Sequence, residues 1–377
     1  MPCTDPGMSY GKYRNAGINR RKMIRTWKKN WTESRERYLE WWQGRGLLIS
    51  MWEHLDREGS PHEQVTEPAP ANDRAQFWFD PSWRAEYLHY RLSRSSFLGD
   101  ILPVANTHLG PGSLAAILGA ELAPGEDTIW IRQSPDPEPP LKLDEWNRWW
   151  KLHLDLLKAC REFSQGRYFV GCPDLVEGLD VLASLRGSDR LLTDMLMRPE
   201  ELEEELAAVN RIYFEVFDRI YEIIREGTEM AFCYFSLWGP GKVSKLQCDI
   251  SVMISEGDFR RFALPFLGEQ CRKIDYTLYH LDGVDAIRHL DAVLGIPELN
   301  AVQWSPGYGQ PQGGDPMWYG LYRRVLGAGK ALMPCWVKVE ELEPLLDNLG
   351  ADGLNILMDF RNEQDIEAAL RIAGKYR

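Results

Sequence analysis

A strand–helix alternation in the last hundred residues places the strongest constraint on the fold of this 377-residue chain. Short apolar runs that end in turns alternate there with longer amphipathic segments. The predicted strands are 276–281, 300–304, 331–336 and 353–360, and the predicted helices are 284–294, 317–326, 339–349 and 363–373. Four consecutive strand–helix units with short connections predict parallel strands joined by right-handed crossovers.

The first part of the chain is less regular but compatible with the same arrangement. Its predicted strands are 47–52, 97–104, 128–132, 167–171 and 230–235, and a long amphipathic helix is predicted at 199–226. No GxGxxG or GxxxxGK[ST] motif follows any of these strands, which weakens the nucleotide-binding alternatives. Eight or so strands alternating with helices favour an α/β protein with a single (β/α)8 TIM barrel over residues 21–377, preceded by a flexible segment at 1–20.

Charge and composition exclude several classes of partner. The net charge of −12 argues against binding to nucleic acid or to anionic membranes, so the basic stretch 20–29 is interpreted as the solvated face of an N-terminal helix. No apolar run reaches 18 residues and the first 30 residues lack the apolar core of a signal peptide. We therefore expect a cytoplasmic protein, monomeric or homodimeric, that acts on a small molecule.

The segment Tyr279–Gly283 is the most informative local pattern. His280 and Asp282 lie two residues apart at the end of a predicted strand. Because side chains alternate across a strand, both point to the same side. In a parallel barrel this end is the mouth, where catalytic groups lie. The alternative interpretation is a histidine capped by a neighbouring carboxylate that orders a turn.

Other residues near predicted strand ends are candidates for ligand binding. Gln303 and Trp304 end the next strand and are predicted to supply a substrate-facing amide and an aromatic wall. Asp249 follows a loop and either reaches the mouth or is a solvated loop acid. His108 is interpreted as a structural or exposed residue.

Fifteen tryptophans are an unusually large number for one chain. Most are expected to fill the core, but Trp238, Trp304 and Trp336 follow predicted strand ends and can line a pocket for a flat or greasy ligand. Ser236 precedes Trp238 in the same turn-rich segment.

Five short motifs occur in an order and at spacings typical of a known superfamily. They are Asp100-Ile101-Leu102, Gly110-Pro111-Gly112, Phe235-Ser236-Leu237-Trp238-Gly239, Ile254-Ser255 with Phe259 and Pro265, and His280-Leu281-Asp282-Gly283. Together they resemble the uroporphyrinogen decarboxylase superfamily of TIM barrels over about residues 20–375. That superfamily contains the haem-pathway decarboxylase and zinc-dependent methyltransferases that serve corrinoid proteins or coenzyme M.

The departures from the decarboxylase pattern concern substrate charge. Its N-terminal arginine-rich motif is absent, since the corresponding segment Leu48–His54 contains no arginine, and its late Gly-His-Gly is replaced by Leu357-Met358-Asp359-Phe360. Only Asp100 matches the key acidic position. Arginines hold carboxylates in bidentate contacts, so we predict no turnover of uroporphyrinogen and no tight binding of porphyrins.

The methyltransferase branch has His-x-Cys where this chain has His280-x-Asp282, and it has a later cysteine that Cys335 can replace from a neighbouring position. The late position itself offers Met358 or Asp359, so the resemblance implies a Zn²⁺ site of His280 and Asp282 with Cys335, or alternatively Asp359, as the third ligand. Carboxylate oxygen is an accepted zinc ligand, but it makes a harder site, suited to polarising an oxygen or to acid–base chemistry.

Three functions follow as hypotheses. The first is methyl transfer from a small methylated donor, such as a methoxylated aromatic or a methylamine, to a corrinoid protein or a thiol. The second is a decarboxylase or lyase that acts on a carboxylated ring, with Asp100 protonating or orienting a carbanion. The third is a non-catalytic ligand-binding barrel. The predicted catalytic residues are Asp100, His280, Asp282 and Gln303, and the predicted substrate-binding residues are Ser236, Trp238, Asp249 and Trp304.

Overall fold

A computed structural model describes residues 27–133, 141–176 and 178–377. The helices are α1 (Trp31–Trp41), α2 (Arg74–Phe79), α3 (Pro81–Ser93), α4 (Ser113–Ile117), α5 (Arg148–Ser164), α6 (Gly178–Arg186), α7 (Ser188–Met197), α8 (Pro199–Ile224), α9 (Glu256–Asp258), α10 (Leu264–Lys273), α11 (Leu290–Leu294), α12 (Tyr319–Gly327), α13 (Val339–Leu349) and α14 (Glu363–Ala373). The strands are β1 (Leu47–Ser50), β2 (Val104–Ala105), β3 (Glu121–Pro124), β4 (Ile129–Arg132), β5 (Phe169–Cys172), β6 (Met230–Phe232), β7 (Leu237–Gly239), β8 (Val243–Leu246), β9 (Tyr276–Asp282), β10 (Ala301–Ser305), β11 (Ala331–Pro334) and β12 (Leu354–Leu357).

Six of these strands form a parallel central sheet in the order β1-β12-β11-β10-β9-β8. A second sheet has the order β2-β5-β6-β7, in which β2, β5 and β6 are parallel and β7 is antiparallel to β6. The protein therefore has a mixed α/β fold. The predicted parallel arrangement of the four C-terminal strand–helix units is confirmed.

The core lies between these strands and the surrounding helices. All four residues of β1, β8, β11 and β12 are buried, as expected for parallel strands that are covered on both faces. The longest helix, α8, buries six of the seven residues that the apolar spacing predicts on one face, namely Leu202, Leu206, Val209, Ile212, Val216 and Ile220. The seventh, Ile223, is half-buried.

Two strand predictions in the first half of the chain need correction. The predicted strand 97–104 is reduced to β2, because Gly99 adopts a positive φ of 59° and Pro103 has no N–H for a ladder. The predicted strand 128–132 forms as β4, but it pairs with β3 in a separate antiparallel hairpin and not in either larger sheet. β8 was not predicted, and it becomes the edge strand beside β9.

The basic stretch 20–29 also differs from its interpretation where it is described. Residues 27–30 form a bend and a turn, and Lys28 is buried, since its ammonium donates to the carbonyls of Phe97 and Gly99 at 2.9 Å each. The predicted flexible segment 1–20 lies outside the described residues. Within the described ranges, no helix has the length and apolar character that crossing a membrane requires.

Candidate functional site

Three potential metal ligands meet at the mouth, the face formed by the carboxyl ends of the parallel strands. Asp249, His280 and Asp282, hereafter the triad, each offer one ligand atom, and these atoms all lie within 4.8 Å of one another. One imidazole and two carboxylates form a donor set that suits a divalent cation, Zn²⁺ included.

Strand register explains why Asp249 joins the other two residues. In the parallel pair β8–β9, Lys245 lies opposite Leu278 and Leu246 lies opposite Tyr279. The chain that leaves β8 therefore runs beside His280. Side chains two residues apart share a side, and the Gln247 amide donates to the Asp249 carboxylate at 2.8 Å. Asp249 was predicted to bind substrate, and the structure places it among the potential metal ligands.

Gln303 fixes the orientation of the His280 ring. The two residues are register partners in β9 and β10, and His280 Nδ1 contacts the Gln303 amide oxygen. An amide oxygen can only accept, so Nδ1 carries the proton and Nε2 keeps its lone pair. The Gln303 amide nitrogen donates in turn to Ser305 Oγ at 3.0 Å and to Cys335 Sγ. Such partners behind a ligand histidine set its tautomer and direction.

The same surroundings keep His280 neutral. Burial, followed by the nearby Lys245 ammonium, lowers the pKa of His280 to about 3, although the Gln303 hydrogen bond opposes the shift. A neutral imidazole is the form that binds metals, so no proton has to leave this residue at physiological pH.

The two carboxylates of the triad have raised pKa values, in contrast to the lowered pKa of His280. Burial and then the neighbouring Asp180 raise the pKa of Asp249 to about 7, against the attraction of Lys245. The Asp249 side chain is accessible from the mouth, yet the surrounding protein atoms displace much of its water. Burial also raises the pKa of Asp282. A divalent cation would relieve this crowding of negative charge.

Lys245 and Asp174 form a buried ion pair beneath the triad. The ammonium lies 2.6 Å from the carboxylate, and both side chains are almost completely buried. The ammonium also contacts the Gln247 amide oxygen and lies 4.8 Å from the centre of the Tyr234 ring. Because Asp174 follows β5 and Lys245 is in β8, this pair ties two strand ends together under the site. Neither residue was among the predicted site residues.

Asp180, in the first turn of α6, holds the segment that carries Asp249. Its carboxylate accepts the backbone N–H groups of Asp249 and Ile250 at 2.7 and 2.9 Å. These two bonds fix the 3₁₀ turn that carries Asp249 and also place a second carboxylate near it.

Cys335 lies behind the triad and not within it. The thiol is buried, contacts Gln303 and lies 3.9 Å from Ser305 Oγ. Burial raises its pKa to about 12, so it is a protonated thiol and not the thiolate that zinc prefers. The set of three therefore contains Asp249 in the place that was predicted for Cys335.

Asp100 occupies a different environment from the triad. One carboxylate oxygen accepts from Ser34 Oγ and Arg37, and the other accepts from the Ile49 backbone N–H and from Arg377. The ion pairs with the two arginines are 2.6 and 2.7 Å long, and Asp100 is fully buried. These contacts bind Asp100 to the edge of β1 and leave neither oxygen free for a substrate.

Two of the three tryptophans predicted to line a pocket, Trp238 and Trp304, are fully buried in the core. Trp238 packs edge-on against Trp31 and Tyr38, with ring centres 5.1 and 6.2 Å apart. Trp304 packs against Trp318 at 5.0 Å. Both side chains point to the helix side of their strands, so neither lines the mouth.

The third predicted tryptophan, Trp336, belongs to a group of aromatic residues at the mouth. Trp52 follows β1 and lies 4.8 Å from Tyr234, 5.0 Å from Phe235 and 5.9 Å from Trp336. Phe235 in turn lies 5.4 Å from the His280 ring. The signal for Trp52 in the sequence was its position at the end of the first predicted strand.

A cavity of about 590 Å³ opens beside this aromatic group. Its aromatic lining consists of Trp52, Phe77, Trp78, Tyr87 and Tyr234. Ser236 also lines it and donates its hydroxyl to the Trp52 carbonyl at 3.1 Å, so its role in substrate binding stays a prediction. Through Trp52 and Tyr234 the cavity borders the aromatic group that contacts His280, and its size and aromatic walls suit a small organic ligand.

Backbone strain is concentrated at the same place. Phe235, Ser236 and Trp336 have positive φ values of 58°, 48° and 59°, although none of them is glycine. Left-handed backbone at residues with a Cβ is uncommon and costs about 1 kcal/mol or more per residue. Strain of this kind often accompanies functional sites.

Comparisons with known proteins support the fold but not a family. No protein-family model matches this chain, and no curated protein sequence does so either. Among solved structures, the backbone is similar to that of a methyltransferase from Methanosarcina mazei, with a TM-score of 0.57 and 13% sequence identity. The similarity covers 91% of this chain and 98% of that chain, so it extends over the whole fold.

Proposed function

We propose that this protein is a metal-dependent methyltransferase. In this proposal a methyl group moves from a small methylated donor, such as a methoxylated aromatic or a methylamine, to a corrinoid protein or a thiol. The observation that carries the proposal is the triad, with His280 neutral and its Nε2 free at the mouth beside an aromatic cavity. The similarity in fold to a methyltransferase supports it.

The residues of the site fit a Zn²⁺ ion, which when bound would act as a Lewis acid on the heteroatom of the donor. In such a reaction the bond between the methyl group and the donor heteroatom would break with its electron pair left on that heteroatom, and the acceptor, the corrinoid cobalt or a thiolate sulfur, would supply the electron pair of the new bond to the methyl carbon. Asp249 and Asp282 would supply negative charge to hold the cation, and Gln303 would keep His280 in its metal-binding orientation. Trp52 and Phe235 would shield the reacting groups from water.

We also infer that the two larger sheets are parts of one closed barrel. On one side the backbone N–H of Asp100 donates to the Ile49 carbonyl at 2.9 Å, which joins the segment before β2 to β1. On the other side the backbone N–H of Val243 in β8 lies 3.2 Å from the sulfur of Met230 in β6. In a closed barrel of this kind, the mouth residues from both sheets would surround one opening.

The contacts of Asp100 argue against the decarboxylase alternative, in which Asp100 is the acid. Asp100 is held by two arginines and a backbone amide, so it cannot approach a carbanion without breaking them. No other observation favours a decarboxylase.

The direct experiment measures zinc content and methyl transfer together. Protein purified without chelator is expected to hold close to one zinc per chain and to methylate a supplied corrinoid protein or thiol from a panel of methoxylated aromatics and methylamines. His280→Ala should lose both properties, because it removes the neutral ligand. His89→Ala is the control, since His89 packs against Trp27 and Phe163, belongs to neither the triad nor the cavity lining, and should keep both. Wild-type protein without transition metal, or His280→Ala with full activity, would refute the proposal.

A further inference from the structure

The cavity contains two polar side chains whose hydrogen-bonding groups have no partner among the described residues. His108 and Tyr234 both line it, and their rings lie edge-on with centres 5.2 Å apart. A hydrogen-bonding atom that faces a cavity and has no partner in the protein is available to a ligand that enters the cavity.

His108 is presented to the cavity by a rigid segment. The carbonyl of His108 accepts from the buried Arg84 guanidinium, and Thr107 Oγ1 donates to the Gly171 carbonyl at 2.7 Å. The Nδ1 atom of His108 is sealed from solvent without a hydrogen bond, whereas Nε2 is not sealed, so Nε2 is the atom that a ligand can reach. The ring is therefore fixed in place while its accessible nitrogen remains unused.

Tyr234 contributes the second group from the turn that follows β6. The side chain is half-buried, and its hydroxyl makes no hydrogen bond within the described part of the chain. Its ring is held between Trp52 at 4.8 Å and the Lys245 ammonium at 4.8 Å. The hydroxyl is thus free to donate to an oxygen in the cavity.

The charges around His108 favour an electron-rich ligand atom. Arg84 donates to the His108 carbonyl, whereas Lys245, which lies against the Tyr234 ring, is already paired with Asp174. Both cations contribute, after burial, to lowering the pKa of His108 to about 3, so the ring is neutral and can donate one N–H. The acids that line the cavity, Glu53 and Asp127, are exposed to solvent, where water weakens their influence.

We propose that His108 and Tyr234 form an oxygen-binding pair that holds the carboxylate or phenolic oxygen of a flat aromatic ligand. The aromatic body of the ligand would lie against Trp52, Phe77 and Trp78. The role of this ligand as the methyl donor rests on the proposed function, but its binding does not. The proposal selects an oxygen-bearing aromatic compound over a methylamine as the molecule that occupies the cavity.

Binding of three small probes tests the pair. Benzoate, phenol and benzylammonium share one aromatic ring and differ in the charge and donor character of the polar group. Titration calorimetry on the intact protein is expected to show benzoate and phenol binding at least about tenfold more tightly than benzylammonium. Benzylammonium binding as tightly as benzoate would overturn the proposal.

Two variants locate the binding. Tyr234→Phe removes one oxygen atom, and His108→Leu removes the imidazole. Each should weaken benzoate about tenfold or more and leave benzene binding unchanged. His89→Leu is the matched control, because His89 is also buried with an unpaired Nδ1 but packs against Trp27 and Phe163 outside the cavity lining. Equal benzoate affinity in wild type, Tyr234→Phe and a folded His108→Leu would refute the oxygen-binding pair.

His280→Ala separates this inference from the proposed function. That variant should lose metal and methyl transfer but keep benzoate binding, because the cavity lining does not include His280. If the wild type binds benzoate through His108 but transfers no methyl group, the oxygen-binding pair is supported and the proposed function is refuted. If the wild type transfers a methyl group but benzoate affinity is unchanged in both Tyr234→Phe and His108→Leu, the oxygen-binding pair is refuted and the proposed function is supported.

Discussion

Asp100 and Asp249 are both aspartates close to strand ends, but their surroundings have opposite charge. Asp100 lies between two arginines and accepts two further hydrogen bonds, so its charge is fully compensated. Asp249 lies close to the carboxylates of Asp180 and Asp282, and Lys245 is the cation that offsets them. The environment of Asp100 makes its carboxylate part of the folded structure, whereas the environment of Asp249 leaves negative charge that a bound cation could neutralise.

This difference separates a stabilising acid from a candidate ligand by environment alone. A compensated carboxylate contributes to folding and has no free lone pair. A group of carboxylates with too few cations opposes folding until a cation arrives, which is the usual electrostatic condition of a metal site. The comparison can be tested by changing each region and measuring stability and metal binding side by side.

Removal of the compensated acid should have the largest effect on stability. Asp100→Ala leaves Arg37 and Arg377 without their carboxylate and exposes no new metal ligand, so it should destabilise the protein by about 3–5 kcal/mol. Urea unfolding gives this value. Asp155→Ala, a change at an exposed acid on α5, should stay within about 0.5 kcal/mol of wild type. A loss of zinc in folded Asp100→Ala, with little change in stability, would reverse the assignment of the two acids.

Replacement of Gln303 should lower metal affinity at the mouth, in contrast to the loss of stability expected for Asp100→Ala. Gln303→Leu keeps the shape of the side chain but removes the acceptor for His280 Nδ1, so zinc affinity should fall about tenfold to a hundredfold. Competition with a chromogenic chelator measures the affinity. Gln310→Leu, in the exposed loop after β10, is the control and should bind zinc like wild type. Unchanged affinity in Gln303→Leu would show that the His280 ring is oriented without Gln303.

The pH dependence of zinc binding gives the smallest and most specific effect. Because burial and Asp180 raise the pKa of Asp249 to about 7, the folded metal-free protein takes up a proton there as the pH falls through 7. Metal must displace that proton, so zinc affinity should rise roughly tenfold between pH 6 and pH 8 and then level off. His280, with its pKa near 3, contributes nothing in this range.

The same raised pKa has a defined sign for folding. A carboxyl group whose folded pKa lies above its unfolded value stabilises the fold at low pH and loses that contribution as the pH rises from about 4 to 7. Asp249→Asn should remove both this loss in the metal-free protein and the rise in zinc affinity. A wild-type zinc affinity that does not change between pH 6 and pH 8 would contradict the crowding of charge at the mouth.

The sequence predicted the features that depend on local repetition. Alternating strands and helices predicted β9 to β12, their parallel pairing and the helices between them, with small differences at the ends. The spacing of His280 and Asp282 placed both at the carboxyl end of one strand, and the position of Gln303 on the next strand placed it at the same level. These inferences need only the period of a strand and the geometry of a parallel sheet.

The missed features depend on contacts between distant parts of the chain. One face of β8 and the segment after it carries polar residues at two-residue spacing: Lys245, Gln247 and Asp249. Because strands were predicted from apolar runs, β8 was not recognised. The burial of Lys245 is explained by Asp174, which is 71 residues away in sequence. The ion pair of Asp100 with Arg377 was missed for the same reason, since the two residues are 277 positions apart.

The left-handed backbone at Phe235 and Ser236 has a consequence for how this protein can change over evolutionary time. Glycine is the residue that would adopt these angles without strain, but glycine would delete the ring next to His280 or the hydroxyl that donates to Trp52. A lineage that retains the function must therefore tolerate a less stable turn. A descendant that has lost it is free to accumulate glycine at these two positions, so their identity in related sequences would serve as a record of whether the site is still in use.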